Sequence, residues 1–188
     1  MLVLAVVGQP CSGKDTLAND LALSGFVHIS SGDMIRTDMA EKGIEQTRAK
    51  IHDFVIEARH LKGPHYPANL IVEKISGDTV ISGFRNSAEV NFLKEKFGRH
   101  FVVVAIDAPI ESRYERAKTR GRVGDEISFE QFKSQEDNER KGSPDTHEVD
   151  KVIAMAQFTI ENTGSKEELL RKADELIISL KQGHYDED

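Results

Sequence analysis

The sequence predicts an α/β fold: a doubly wound, five-stranded parallel sheet with helices on both faces. Three observations predict it. Short apolar runs alternate with amphipathic stretches along the whole chain, the pattern of parallel strands joined by helical crossovers. The first run, Leu2 to Val7, is continuous and valine-rich, which suits a strand buried on both faces. That run passes directly into a glycine-rich turn, Gly8 to Gly13, at the entry to a helix. Ligands bind at the carboxyl ends of strands in such sheets.

The elements follow in order. Lys14 to Leu23 reads as a helix with Leu17 and Leu21 on one face, stopped by Gly25. Phe26 to Ile29 is the second strand. Ser30 and Ser31 occupy the N-cap region of a helix running from about Asp33 to Lys42. Gln46 to Leu61 carries Ile51, Phe54, Val55, Ala58 and Leu61 at helical spacing, and Gly63-Pro64 breaks it. Pro67 to Ile75 is a further helical stretch. Thr79 to Ser82 is the third strand, closed by Gly83, and Ser87 to Phe97 is a helix with Val90, Phe92 and Leu93. Phe101 to Ile106 is the fourth strand, followed by Pro109 and a helix over Glu111 to Arg120. Residues 121–142 are highly charged, with Phe129 and Phe132 as their main apolar anchors. Asp150 to Ala156 reads as a helix and Phe158 to Ile160 as the fifth strand. Ser165 caps a closing helix to Leu180, with Glu168 completing a capping box. The polar tail, His184 to Asp188, is expected to fray. No repeat, low-complexity segment or linker divides the chain, so residues 1–188 form one expected domain.

Composition narrows the function classes. The 188 residues can bury a core without disulfides. A net charge of −7 argues against a general nucleic-acid binder, which presents a basic face. The one cysteine excludes an internal disulfide and suits a reducing compartment. No apolar run approaches the roughly 20 residues of a membrane helix. Met1 to Val7 is too short for a signal peptide, so the expectation is a cytoplasmic protein complete from its first residue. The seven histidines show no metal-ligand spacing. Oligomeric state is not set by any of these features.

Gly8-Gln9-Pro10-Cys11-Ser12-Gly13-Lys14-Asp15-Thr16 follows a strand and opens a helix, the context that gives G-x-x-x-x-G-K its meaning as a phosphate loop. Glycines let backbone N–H groups turn toward phosphate oxygens, and the helix N-terminus adds partial positive charge. Lys14 supplies a full charge for the β and γ phosphates. Asp15 stands where the commonest motif has a hydroxyl residue, and Thr16 comes one place later. Cys11 reads as a small residue that fits the turn.

Four further stretches cluster at strand ends. His28-Ile29-Ser30-Ser31-Gly32-Asp33-Met34-Ile35-Arg36 leaves the second strand, and Ser82-Gly83-Phe84-Arg85 closes the third. Arginine binds phosphate through a planar, bidentate fork. Arg113, Arg116, Arg120 and Arg122 follow the fourth strand, the first three on one helical face. Each could equally pair with Glu111, Glu115 or Asp125. Phe158-Thr159-Ile160-Glu161-Asn162-Thr163-Gly164-Ser165 supplies the last strand and turn, where Asn162 is either a nucleotide neighbour or a turn residue.

This order of motifs resembles the nucleoside monophosphate kinase branch of P-loop proteins. Within it, the chain is most similar to an uncharacterised kinase-like family related to dephospho-CoA kinase and adenylate kinase. The shared cues are Gly83-Phe84-Arg85-Asn86-Ser87-Ala88-Glu89-Val90 and the Arg113-x-x-Arg116-Ala117-x-x-Arg120-Gly121-Arg122 stretch. The resemblance implies strand order 2-3-1-4-5, acceptor-binding helices over about 33–75 and a lid over about 121–142. It implies ATP with Mg²⁺ as donor and a phosphate-bearing small molecule as acceptor, with no membrane partner. The G-K-x-T form is the one such kinases use, with Thr16 helping to hold phosphates. Arg36 and Arg85 match the arginines that grip the acceptor phosphate. Lys14, Asp33, Arg120 and Arg140 are the catalytic candidates, and Asn162 borders the donor nucleotide together with Gly8 to Thr16. Ser82 departs from the pattern, because the usual aspartate there organises Mg²⁺. Asp15, Thr16 and Asp33 are the remaining metal candidates. Asp33 could serve the metal or accept a proton from an acceptor hydroxyl. The acidic, leucine-rich motif of dephospho-CoA kinase proper is missing, so its substrate does not carry over. A regulatory P-loop ATPase with slow hydrolysis is the competing expectation, favoured by Ser82.

Overall fold

The computed structural model describes residues 1–121, 127–140 and 148–185. Five parallel strands form one sheet in the order β2-β3-β1-β4-β5. They are β1 (Val3–Val7), β2 (Val27–Ser30), β3 (Thr79–Ser82), β4 (Phe101–Asp107) and β5 (Phe158–Glu161). The helices are α1 (Lys14–Leu23), α2 (Ser31–Glu41), α3 (Arg48–Lys62), α4 (Tyr66–Val72), α5 (Ser87–Phe97), α6 (Ile110–Arg120), α7 (Phe129–Arg140), α8 (Val149–Ala154) and α9 (Lys166–Tyr185). A short 3₁₀ turn, Gly98–His100, enters β4.

The continuous apolar run of β1 is the physical reason it sits in the centre. All five of its residues are buried, as a strand covered by helices on both faces requires. Leu4 and Val6 join Leu17 and Leu21 of α1 and Leu169 and Ala173 of α9 in one core cluster. Val3, Ala5 and Val7 join Ala68 and Ile71 of α4 and Val90 and Leu93 of α5 in the other. Alternation along one strand thus feeds two cores.

Register places every strand end on one edge. Val6 and Ser30 both pair with Ser82, Val7 with Ala105, and Asp107 with Glu161. The loops that follow β1 to β5 therefore emerge side by side.

Local chemistry sets the helix boundaries. Ser30 Oγ accepts from Asp33 N at 3.2 Å, so α2 begins at Ser31, two residues before the expected start. Thr47 caps α3, and Gln46 is drawn away by its bond to Arg36 O at 3.1 Å. α4 is shorter than expected and ends at Val72, with Lys74 N closing a turn on Ile71 O. Ser165 Oγ accepts from Glu168 N at 3.2 Å at the start of α9, as the capping pattern predicts. Phe129 and Phe132 dock α7 onto Tyr114 of α6 with ring centroids 5.4 and 5.7 Å apart. The expected anchors of the charged segment are therefore in place, while Arg122, Asp125, Lys141, Gly142, His147 and the tail 186–188 lie outside the described residues. Among the described residues no helix is long and apolar enough to cross a membrane.

Candidate active site

The glycine-rich loop after β1 has the backbone of a phosphate cradle. Gly8 has φ 148° and Gly13 φ 110°. A Cβ on Gly8 would collide with the Ile106 carbonyl oxygen, and one on Gly13 with the Asn162 side chain. Cys11 takes φ 59°, an uncommon conformation for a side chain to adopt. Ser12 Oγ and Gln9 Oε1 are buried and find no hydrogen-bond partner among the described residues. Unsatisfied buried polar atoms are costly, and two in one loop fit a site completed by a polar ligand. Lys14 Nζ donates to Gln9 O at 3.1 Å, folded back over the loop.

The loop is braced from behind. Arg113 of α6 is buried, donates through Nε to Ala108 O at 2.8 Å, and reaches Pro10 O through Nη1 at 3.5 Å. Its charge is met by Glu136 of α7, also buried, through Nη2 at 2.9 Å and a second contact from Nη1. Arg116 donates to Ser12 O at 3.3 Å and to Asn162 O at 3.0 Å. Asn162 Nδ2 in turn donates to Ser12 O at 2.7 Å. With the carbonyls of Pro10 and Ser12 drawn to the back, the loop has the polarity an anion site needs.

This corrects the reading of the arginine cluster. Arg113 and Arg116 share a helical face as expected, but that face meets the P-loop, and Arg113 pairs with Glu136 rather than with Glu111, Glu115 or Asp125. Asn162 is committed to the loop backbone. The signal for Arg116 was its helical phase. Glu136 lies 23 residues from Arg113 in sequence and carried none.

On the neighbouring strand ends the geometry is looser. The backbone of Gly83 lies against the first turn of α2, with an ideal Cβ 3.6 Å from Ser31 Cβ. Asp33 and Arg36 form an exposed ion pair at 2.9 Å. Arg85 is fixed through its backbone: its N donates to Glu89 Oε2 at 3.2 Å, and its O accepts from Glu148 N at 2.7 Å. Glu89 is fully buried and pairs with Arg59 at 2.8 Å. Burial pushes its carboxyl above the usual range, against the pull of Arg59 and of the backbone N–H groups of Arg85 and Asn86. Ser82, at the usual carboxylate position, shares a 3.0 Å hydrogen bond with His28 Nε2 from β2. The two residues lie 54 positions apart, so no local pattern signals the contact.

The other predicted residues lie at helix ends. Asp15 and Thr16 lie in the first turn of α1, Arg120 ends α6, and Arg140 ends α7. Arg140 Nε meets both oxygens of Asp150, at 3.0 and 3.1 Å. Among the described residues no group of three or more His, Cys, Asp or Glu side chains forms a metal cage. Mg²⁺ beside phosphates needs no such cage, because one or two carboxylates, phosphate oxygens and water suffice.

A braced phosphate loop at the centre of a 2-3-1-4-5 parallel sheet defines a P-loop protein of the kinase type. A family model described as the AAA domain matches residues 7–133. A UPF0200 protein of Thermococcus onnurineus is 32% identical over 97% of this chain and 100% of its own length. A UPF0200/UPF0201 protein of Archaeoglobus fulgidus is 35% identical over 96% of this chain, which spans 56% of that longer protein. The chain belongs to the AAA domain family and to the UPF0200 proteins. Among solved structures, a shikimate kinase from Acinetobacter baumannii in complex with shikimate superposes with a TM-score of 0.59 at 20% identity, covering 95% of this chain and 94% of that one. A gluconokinase from Sinorhizobium meliloti does so with a TM-score of 0.60 at 15% identity, covering 100% and 98%. Those two likenesses concern the fold.

Proposed function

We propose that the protein is a phosphotransferase that moves the terminal phosphoryl group of ATP to a nucleotide or nucleotide-like acceptor. One observation carries this reading: two cationic sets share one edge of the sheet. The braced P-loop with Lys14 follows β1, while Asp33, Arg36 and Arg85 follow β2 and β3, the adjacent strands. A triphosphate site alone needs no second set.

ATP with Mg²⁺ supplies the phosphoryl group and neutralises part of its charge. Thr16, with Asp15 or Asp33, would hold the metal beside the phosphates. Lys14 leaves the Gln9 carbonyl for the β and γ phosphates. Arg36 and Arg85 grip the anionic group of the acceptor, and Asp33, released from Arg36, accepts the proton of the attacking hydroxyl. Residues 33–75 form the acceptor module. Arg120, just before the lid region 121–142, and Arg140 within it offset the charge spread over the transferring group and exclude water. The setting is the cytoplasm.

Guanidinium groups take carboxylates as readily as phosphates. The likeness to a shikimate kinase and a gluconokinase therefore brings small hydroxy acids into the acceptor panel. The second reading is a regulatory ATPase, favoured by Ser82: its hydroxyl, paired with His28, brings no negative charge to the metal.

ADP release from ATP and Mg²⁺ separates the two, measured with nucleoside monophosphates, dephospho-CoA, shikimate and gluconate in turn. The expected result is one acceptor class that raises release well above basal hydrolysis. A flat panel over slow hydrolysis would favour the regulatory ATPase.

A further inference from the structure

Arg140 is linked to the P-loop through a single carboxylate. Asp150, the second residue of α8, accepts from Gln9 Nε2 at 3.1 Å and from Arg140 Nε at 3.0 Å on the same oxygen. Gln9 is a buried P-loop residue. The start of α8 is itself fixed: Glu148 N donates to Arg85 O at 2.7 Å, and Ser87 Oγ donates to Glu148 Oε2 at 2.8 Å. Asp150 thus stands where the P-loop, the end of α7 and the segment carrying Arg85 meet.

The way Asp150 takes Arg140 matters. A guanidinium presents one edge at Nε and a two-pronged fork at its terminal nitrogens. Asp150 occupies the Nε edge with both oxygens. Among the described residues Glu136 Oε1 approaches the fork, 3.9 Å from Nη1, beyond hydrogen-bond reach. Glu136 is already committed to Arg113. Arg140 and Asp150 are each 43% exposed in their side chains, so the pair contributes little to folding and the fork is open to a ligand.

We propose that Asp150 is a positioning residue of the phosphate site: anchored by Gln9, it holds Arg140 by its Nε edge and presents the fork to the third phosphate of a bound triphosphate. This rests on the P-loop reading above and assigns Arg140 the discrimination of triphosphate from diphosphate. Asp150 touches no ligand and acts through Arg140.

Calorimetric titration of the full chain with ADP and with the imido analogue of ATP, each with Mg²⁺, tests this. The set is wild type, Asp150→Ala, Asp150→Asn, Arg140→Ala and the Asp150→Ala/Arg140→Ala pair. Arg140→Ala and Asp150→Ala are each expected to weaken the triphosphate about tenfold, the size of one charge-assisted contact, and to leave ADP within about twofold. The double variant should bind no more weakly than Arg140→Ala. Asp150→Asn keeps an oxygen for Gln9 and Arg140 and should restore most of the loss. Equal weakening of both nucleotides, additive losses, or tighter triphosphate binding by Asp150→Ala would each overturn the assignment. Wild type that binds neither nucleotide would overturn the P-loop reading itself, a result distinct from tight binding that ignores Asp150.

Discussion

Arg113 and Arg36 both lie on helices that leave the same edge of the sheet, yet their side chains are 6% and 49% exposed. Arg113 is locked between two backbone carbonyls and a buried glutamate. Among the described residues the charged partner of Arg36 is Asp33, itself 73% exposed. The phosphate loop is thus braced through its own backbone, with the Arg113 charge met by Glu136. After β3, the backbone of Arg85 is clamped by Glu89 and Glu148, while its side chain and that of Arg36 are exposed. On the proposed reading, a braced loop beside exposed arginines suits ordered assembly of two anionic ligands.

The sharpest way to break this contrast is Glu136→Ala. It leaves the Arg113 guanidinium buried without its counter-charge, a loss expected to cost about 3–5 kcal/mol. Thermal unfolding should show a melting point lower by roughly 6–20 °C for a domain of this size. A change within a degree would mean that the brace is not a buried pair in solution. Next in size, Arg85→Ala should raise the KM for the acceptor about 10–100-fold, as for a lost charged hydrogen bond. ATP affinity should hold within about twofold, and melting should barely move. Equal losses for both ligands would erase the distinction between the two sides.

The smallest effect concerns acid. Asp38 is held below the usual carboxylate range: burial raises it, but hydrogen bonds from Lys42 and Tyr66 outweigh that. Burial is likewise outweighed at Asp78 by Lys181 and the Leu2 N–H, and at Glu148 by Lys151 and Ser87. A depressed folded value adds stability above the unfolded value, near pH 4, and loses it as pH falls through the folded one. Glu89, pushed up by burial, works in the opposite sense. Urea midpoints should therefore fall below about pH 4, and Asp38→Asn should flatten that limb. An unchanged acid limb in that variant would remove Asp38 from the account.

Much of this was legible in the sequence. The helix from Lys14, the strand from Thr79 and the helix from Ser87 have the bounds their patterns predict, because each is framed by glycine or a capping residue. Among the boundaries that moved, those at α2 and α3 were set by side chains bonding backbone nearby, as Ser30 and Gln46 do. Within the site, the P-loop was readable because its chemistry is contiguous. The pairs Arg113–Glu136, Gln9–Asp150 and His28–Ser82 were not, since their members lie 23, 141 and 54 residues apart.

By itself the sequence determined the class of fold, the central strand and the phosphate loop. Periodicity and loop chemistry act over a few residues and survive without tertiary context. The tertiary structure decided which arginines brace the loop and which stay open to ligand. That choice depends on burial and on distant counter-charges, and only the packed sheet edge brings those together.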